Sequence, residues 1–277
     1  MGTTQTILGL KAETSIHAGT GQNNGVIDLP IQREVHTGYP CVFGSAVKGA
    51  FRAHAEVRRK DLNINIKQVF GSASDKGDAS NVSFTDARLL LLPVRSLTGH
   101  FKLVTCPSIL NRLKRDMQMM GQAASWSVPD VQKQQVVGAG NGDIFLEEFK
   151  FTQTAGLNDA LVAALEQFGA EGLKAQLIIM HDDDFAWFAQ NATAVTPHIA
   201  IENIDEKTGD LKKIVKDGAL WYEESLPSDS LLYTMLMGKT ADDVAKVTGM
   251  FEGDQRFIQI GGNETVGMGW CSVKEVA

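Results

Sequence analysis

The sequence is poor in cysteine, with only Cys41, Cys106 and Cys271 in 277 residues. An odd count, wide spacing and the lack of any C-x-x-C pair exclude a disulfide framework and a thiolate zinc site, and fit a reducing cytoplasm. Long apolar runs are also missing. No stretch approaches the roughly 18 residues that a membrane helix needs. The start, MGTTQTILGLKAET, has no basic flank leading into an apolar signal core. A cytoplasmic location with no membrane partner is therefore expected. The common nucleotide and hydrolase signatures fail as well. Gly19 and Gly21 would need a glycine at 24 for G-x-G-x-x-G, where the chain has Asn24. No Gly-Lys-Ser/Thr follows a glycine loop, and neither G-x-S-x-G nor H-E-x-x-H occurs, which removes P-loop, kinase, serine-hydrolase and zincin chemistry.

What is present is an ordinary globular mix, 43% hydrophobic and 21% charged, of a length that suits two small domains or one elaborated one. The net charge of −7 alone argues against a nucleic-acid partner, yet residues 1–138 sum to +6 and 139–277 to −13. Such asymmetry suits either a basic binding face on an acidic body or one surface docking against the opposite surface of another copy; it also occurs without function.

Strand and helix patterns alternate without a strict βαβ rhythm, which predicts an α+β fold with helices on one side of a mainly antiparallel sheet. A strand spans TQTILGLKAETSI. A helix follows Gly44, with Ser45 as N-cap, Ala46, Ala50, Ala53 and Val57 on its apolar face, and Lys48, Arg52 and Arg59 on the opposite one. Further helices are predicted at 107–120, with Pro107 in the first turn, at 157–168, after HDDD, and at 240–251 from the capping pair Thr240 and Asp243. NVSFTDARLLLLPV reads as a buried strand after the polar linker GSASDKGDAS. Strands are also expected near 144–151 and 174–180, with RFIQIGG the last. Residues 198–227 read as a polar, projecting hairpin that turns at Glu206-Lys207-Thr208-Gly209.

Four places carry candidate chemistry. His17 and Asp28 flank the glycine-rich HAGTGQNNG segment, as an acid/base pair or a metal-binding carboxylate would; an Asp before Leu-Pro is equally an ordinary turn residue. His181-Asp182-Asp183-Asp184 could bind a hard cation, or cap a helix. The glycines of GGNETVGMGW, namely Gly261, Gly262, Gly267 and Gly269, would let backbone approach a phosphodiester, or make a tight turn. Lys48 and Arg52, with Arg58 and Lys60 adjoining, form a phosphate-contact surface or a solvated helix face.

HAGTGQNNGVIDLPIQREVHTGYPCVFGSAVKGAFR and GGNETVGMGW resemble the two hallmark regions of the RAMP superfamily, RNA-binding proteins of CRISPR systems. I-D-L-P-I-Q-R-E, H-T-G-Y-P and G-S-x-x-K-G-x-x-R narrow the likeness to the repeating backbone subunits of type III-B (Cmr) effector complexes, and HDDDFAWF and GALWYEESLP extend it over most of the chain. The resemblance implies a single elaborated domain over 1–277, with a modified ferredoxin-like (RRM-type) core. It implies a β-hairpin thumb around 195–219 that wedges between guide and target RNA. Copies would stack head to tail along crRNA beside other Cmr subunits and cut complementary single-stranded target RNA at regular intervals. Asp28 maps onto the family's catalytic aspartate. His17 and Glu223 or Glu224 are its expected helpers, and a divalent ion, magnesium, is expected at Asp28. Two positions depart from the family pattern. Thr196-Pro197-His198-Ile199-Ala200 replaces a basic thumb start, and Met268 stands where Lys or Arg is common. Two rival expectations are a scaffold subunit without nuclease activity and a carboxylate-metal hydrolase centred on Asp182 to Asp184.

Overall fold

A computed structural model of the chain describes residues 4–23, 25–62, 64–72, 79–205 and 211–276. The expected hairpin turn Glu206 to Gly209, most of the polar linker and the side chains of Arg59 and Lys60 lie outside the described residues. In chain order the elements are β1 (Thr4–Ala12), β2 (Cys41–Val42), α1 (Gly44–Leu62), α2 (Ile66–Phe70), β3 (Val82–Phe84), β4 (Ala87–Arg95), β5 (Phe101–Thr105) and α3 (Pro107–Met119). There follow β6 (Gln135–Gly138), β7 (Gly142–Leu146), β8 (Phe149–Ala155), α4 (Asp159–Glu166), β9 (Leu177–Met180) and α5 (Asp182–Asn191). The chain ends with β10 (Ala194–Asp205), β11 (Leu211–Ser225), β12 (Leu231–Gly238), α6 (Ala241–Thr248), β13 (Phe257–Gln259) and β14 (Trp270–Val276).

Among the described residues, twelve strands form one mixed sheet along the order β13-β14-β1-β12-β4-β5-β9-β6-β8-β7, with β2 against β4 and β3 against β12. Its pairs are antiparallel except β5 with β9 and β6 with β8. The leucine run of β4 explains its central place. Leu89, Leu90, Leu91 and Leu92 are all fully buried, so both faces of this strand are covered, as a continuous apolar strand requires. No helix among the described residues is long and apolar enough to cross a membrane.

Four expectations are corrected. Ser45 is exposed and does not cap α1. The Phe43 carbonyl opens the helix by accepting from the Ala46 and Val47 N–H groups, and Asp86 from the β3–β4 turn accepts from the Gly44 N–H at 2.7 Å. The core face of α1 is Val47, Phe51 and Ala55, while Val57 is 87% exposed. The alanine periodicity misled because small side chains define a stripe poorly, whereas Phe51 packs against Phe84 and Phe251, each with ring centroids 5.3 Å away. Finally, RFIQIGG is followed by β14, which pairs with β1 and β13, and the 144–151 strand is a hairpin of β7 and β8. The latter turns at Glu147, which adopts a φ of 48° without a Gly or Asn to announce it.

Other expectations hold. Pro107 opens α3, whose Leu110, Leu113 and Met117 are buried. Thr240 caps α6, its hydroxyl accepting from the Asp243 N–H at 3.2 Å.

The antiparallel hairpin β10–β11 forms its own two-stranded sheet and extends further at its root than the predicted 195–219. Ile199 lies opposite Leu220 and Ile201 opposite Val215, so residues 216–219 bulge out against Ala200 alone. These four paired residues are each at least half exposed.

Phe51→Ala is expected to lower unfolding stability by about 3–5 kcal/mol, and Val57→Ser to leave it within about 0.5 kcal/mol. Denaturant melts that show equal losses would overturn this placement of the helix face.

Candidate active site at the hairpin root

From Asp28 to Glu34, each residue of I-D-L-P-I-Q-R-E has a traceable hydrogen-bond partner. Leu29 pairs with Glu223 in a parallel bridge; its N–H donates to the Tyr222 carbonyl and its carbonyl accepts from the Glu224 N–H. The segment therefore runs beside the root of β11. This places Asp28 with Oδ2 accepting the Tyr222 N–H at 2.7 Å. Its Oδ1 receives no hydrogen bond among the described residues. Ile31 is buried, and its N–H donates to Glu224 Oε2 at 3.0 Å. Gln32 ties the glycine segment to the start of α1, donating to the Gly19 carbonyl and accepting from the Phe43 N–H.

Arg33 donates to the carbonyls of Gly38 and Ala189 and to Glu224 Oε1, which also accepts from the Thr193 hydroxyl. Glu224 is 2% exposed, and both of its carboxylate oxygens accept hydrogen bonds, two at Oε1 and one at Oε2. Expected as a possible partner of an ion, it instead fastens three segments together.

His17 lies one strand repeat along from Asp28. Its Nδ1 is 2.7 Å from the Glu224 carbonyl oxygen and 3.5 Å from Glu223 Oε1. A carbonyl only accepts, so Nδ1 carries a hydrogen and Nε2 is the ring nitrogen left for a ligand. Nε2 faces Gly19, where a Cβ would stand 2.8 Å away. Asp28 and His17 thus dock at Tyr222 and Glu224, two positions apart on one strand, roughly 7 Å.

The C-terminal glycines serve the chain itself before any ligand. The Gly262 N–H donates to the His17 carbonyl, and a Cβ at Gly261, whose φ is +93°, would meet that carbonyl at 2.5 Å. Gly269, at φ +85°, is closed in the same way by the Ile260 carbonyl at 2.2 Å. The Gly267 N–H closes the 264–266 turn by donating to the Glu264 carbonyl. Asn263, between these glycines, donates to Glu223 Oε1.

Asp28, His17, Glu223 and the glycine loop therefore come together. Lys48 and Arg52 share the other candidate surface on α1, and no hydrogen bond or ion pair among the described residues ties them to this group. Arg52 is engaged by Glu56 at 2.8 Å and the Gly71 carbonyl at 3.4 Å. Sequence patterns missed Tyr222, Thr193, Arg33 and Asn263. Only Arg33 carried a signal, as a cation within the motif segment that runs beside the hairpin root.

The second acidic cluster disperses. Asp182 accepts from the Ser108 N–H at the start of α3, Asp183 pairs with Lys133, and Asp184 accepts from the Gln134 N–H. His181, rather than an aspartate, caps α5. Among the described residues no three His, Cys, Asp or Glu side chains converge as a metal site would require. The hydrolase expectation at Asp182 to Asp184 has no geometric basis. The thiols are equally inert: burial pushes Cys41, Cys106 and Cys271 up to about 12.

The RAMP superfamily pattern matches residues 9–272, nearly the whole chain and both hallmark regions. The chain belongs to the RAMP superfamily. Within it, the chain is 35% identical, over 98% of its length and 96% of the relative's, to the CRISPR system Cmr endoribonuclease Cmr4 of Pyrococcus furiosus. An oligomeric Cmr4 crystal structure from that organism superposes with a TM-score of 0.75 at 29% identity, covering 99% of this chain and 98% of that one. A type III-B Cmr-beta complex bound to cognate target RNA contains a chain with the same fold. Its TM-score is 0.79 at 23% identity, with 98% and 97% covered. This RAMP chain thus places its family's glycine loop against the hairpin root.

Arg33→Met is expected to destabilise the fold by about 3–5 kcal/mol, because it leaves the Glu224 carboxylate buried without its cation. The corresponding fall in Tm is on the order of 10 °C. A variant melting with the wild type would show that Glu224 does not hold the root.

Proposed function

We propose that this RAMP chain is a repeating backbone subunit of a type III-B CRISPR complex in the cytoplasm, binding crRNA and cutting complementary target RNA at regular intervals. The full-length identity to a Cmr endoribonuclease supports it. The observation that carries the nuclease reading is Asp28, whose carboxylate is oriented by the Tyr222 N–H through one oxygen and left unbonded at the other. A scaffold without nuclease activity has no use for that arrangement.

In this reading the domain is a single elaborated RRM-type unit over 1–277 and the β10–β11 hairpin is its thumb. The exposed Ile199, Ile201, Val215 and Leu220 suit it to displacing a base from a guide–target duplex. Displacement turns the sugar so that its 2′-oxygen lies in line with the next phosphorus. Asp28 Oδ1 takes the 2′-hydroxyl proton as the 2′-oxygen attacks. The 5′-oxygen of the following nucleotide leaves with the proton that Nε2 carries when His17 is an imidazolium, giving a 2′,3′-cyclic phosphate, a 5′-hydroxyl end and a neutral ring that keeps its hydrogen on Nδ1. Nδ1, bonded to the Glu224 carbonyl, keeps the ring oriented for that transfer.

The residues fit a magnesium ion only in the open manner that ion favours, one carboxylate with phosphate oxygens and water. Asp28 would hold it, and it would supply neutralisation of phosphate charge. The opposite charge of the two halves of the chain suits head-to-tail stacking, a heterologous contact that grows instead of closing.

Asp28→Asn keeps an oxygen for the Tyr222 N–H while removing the charge and the proton acceptor. Guide-loaded complex carrying it should cut labelled target about 10²–10⁴-fold more slowly, with assembly and target binding intact. Wild-type cutting would refute the nuclease reading. Lys48→Glu with Arg52→Glu should weaken guide binding and reduce its salt slope by roughly 2. An unchanged slope would remove α1 from the guide interface.

A further inference from the structure

We infer that Asn263 is a positioning residue that couples the glycine loop to the cleavage site, acting on His17 through Glu223. The inference rests on reading Asp28 and His17 as the cleavage centre.

Asn263 sits at φ 61° and ψ 29°, immediately before the 264–266 turn. Its carbonyl accepts from the Val266 and Met268 N–H groups, which folds the loop back on itself. Its side chain instead leaves the loop. Nδ2 donates to Glu223 Oε1 and lies 3.5 Å from Met268 Sδ. A carboxylate accepts only, so chemistry decides which end of the amide faces Glu223.

Glu223 is 6% exposed, and no Lys or Arg pairs with it among the described residues. The same Oε1 stands 3.5 Å from His17 Nδ1. One carboxylate oxygen is thus shared between a donor from the glycine loop and the imidazole of the cleavage site. A buried carboxylate deprived of its donor must find another, and the nearest is the His17 Nδ1–H. Taking it competes with the Glu224 carbonyl that orients the ring and so turns Nε2 away from its place beside Gly19. The loop also reaches His17 through its backbone, by the Gly262 N–H on the His17 carbonyl. A guide phosphate that seats or shifts the loop therefore moves the imidazole by two routes, and only the side-chain route can be removed without altering the fold of the loop.

The test uses guide-loaded complexes carrying Asn263→Gly, which tolerates the positive φ and removes the donor, and Asn263→Asp, which sets a second carboxylate against Glu223. Single-turnover cleavage at saturating target should fall roughly 10- to 100-fold for Gly and further for Asp, a displacement effect of the size that misplaced catalytic groups produce. Guide and target affinities should stay within about twofold, since neither variant removes a phosphate contact. Adding Glu223→Gln to Asn263→Asp rebuilds the bond with its polarity reversed and should recover part of the rate. Wild-type rates in both single variants, losses that track guide affinity, or no recovery in the double variant would each overturn the inference. Asp28→Asn is measured alongside. If it cuts normally, the nuclease reading falls and takes this one with it. If it is inactive while the Asn263 variants are normal, only this one falls.

Discussion

The hairpin and the site at its root depend on the buried carboxylate of Glu224. It draws Arg33, Thr193 and the Ile31 N–H onto its two oxygens. Its own peptide group meanwhile accepts from His17 and donates to the Leu29 carbonyl. Through Arg33 the same node reaches the Ala189 carbonyl near the end of α5. A buried carboxylate is tolerable only when saturated with donors. That requirement forces the motif segment, the hairpin root and the exit of α5 into one arrangement. Asp28 and His17 inherit their positions from it, since both attach to the backbone of β11 within two residues of Glu224.

Around this node the hairpin divides by environment. At its root Glu223 and Glu224 are tied to neighbouring segments and the side chains from 223 to 226 are buried; beyond it Ile199, Ile201, Val215 and Leu220 stand in solvent. A rigid base with an apolar, unsupported reach is what inserting into a nucleic-acid stack demands, because the insertion must push against stacking energies of a few kcal/mol without the base giving way.

The sequence made the elements of strong periodicity legible. Pro107 with Leu110, Leu113 and Met117, the leucine run of β4, and the Thr240 cap all emerge as read, since each rests on local geometry. Misreadings arose wherever a distant residue decided the outcome. Ser45 has the right chemistry for an N-cap, but Asp86 arrives from another turn and takes the role. Ala46 to Val57 has helical spacing, yet which face is buried depends on where Phe84 and Phe251 lie. The catalytic assignment of Asp28 came from resemblance, while its partner, a backbone N–H of Tyr222, has no side-chain signature. Gly261 and Gly269 were legible as close-approach positions, but the groups that come close are the chain's own carbonyls, of His17 and of Ile260. Asn263 was invisible among them because an asparagine in a glycine loop reads as a turn residue.

The sheet places β1 between β12 and β14, joining the first strand of the chain to its last two long ones. The site has the same character, combining residues 17–33 with 222–224 and 261–263. Such separations make pairing slow, and during synthesis they impose a delay. At ordinary translation rates, ~5–20 residues per second, roughly 10–50 s pass between the emergence of the I-D-L-P segment and that of the glycine loop. For most of that interval the N-terminal strand has no neighbour and Asp28 has no hairpin to hold it, because β12 and the β10–β11 hairpin are themselves made late. A chain stopped before β14 leaves β1 and β13 without the strand that both pair with, so the sheet beneath the proposed site is completed only when β14 emerges.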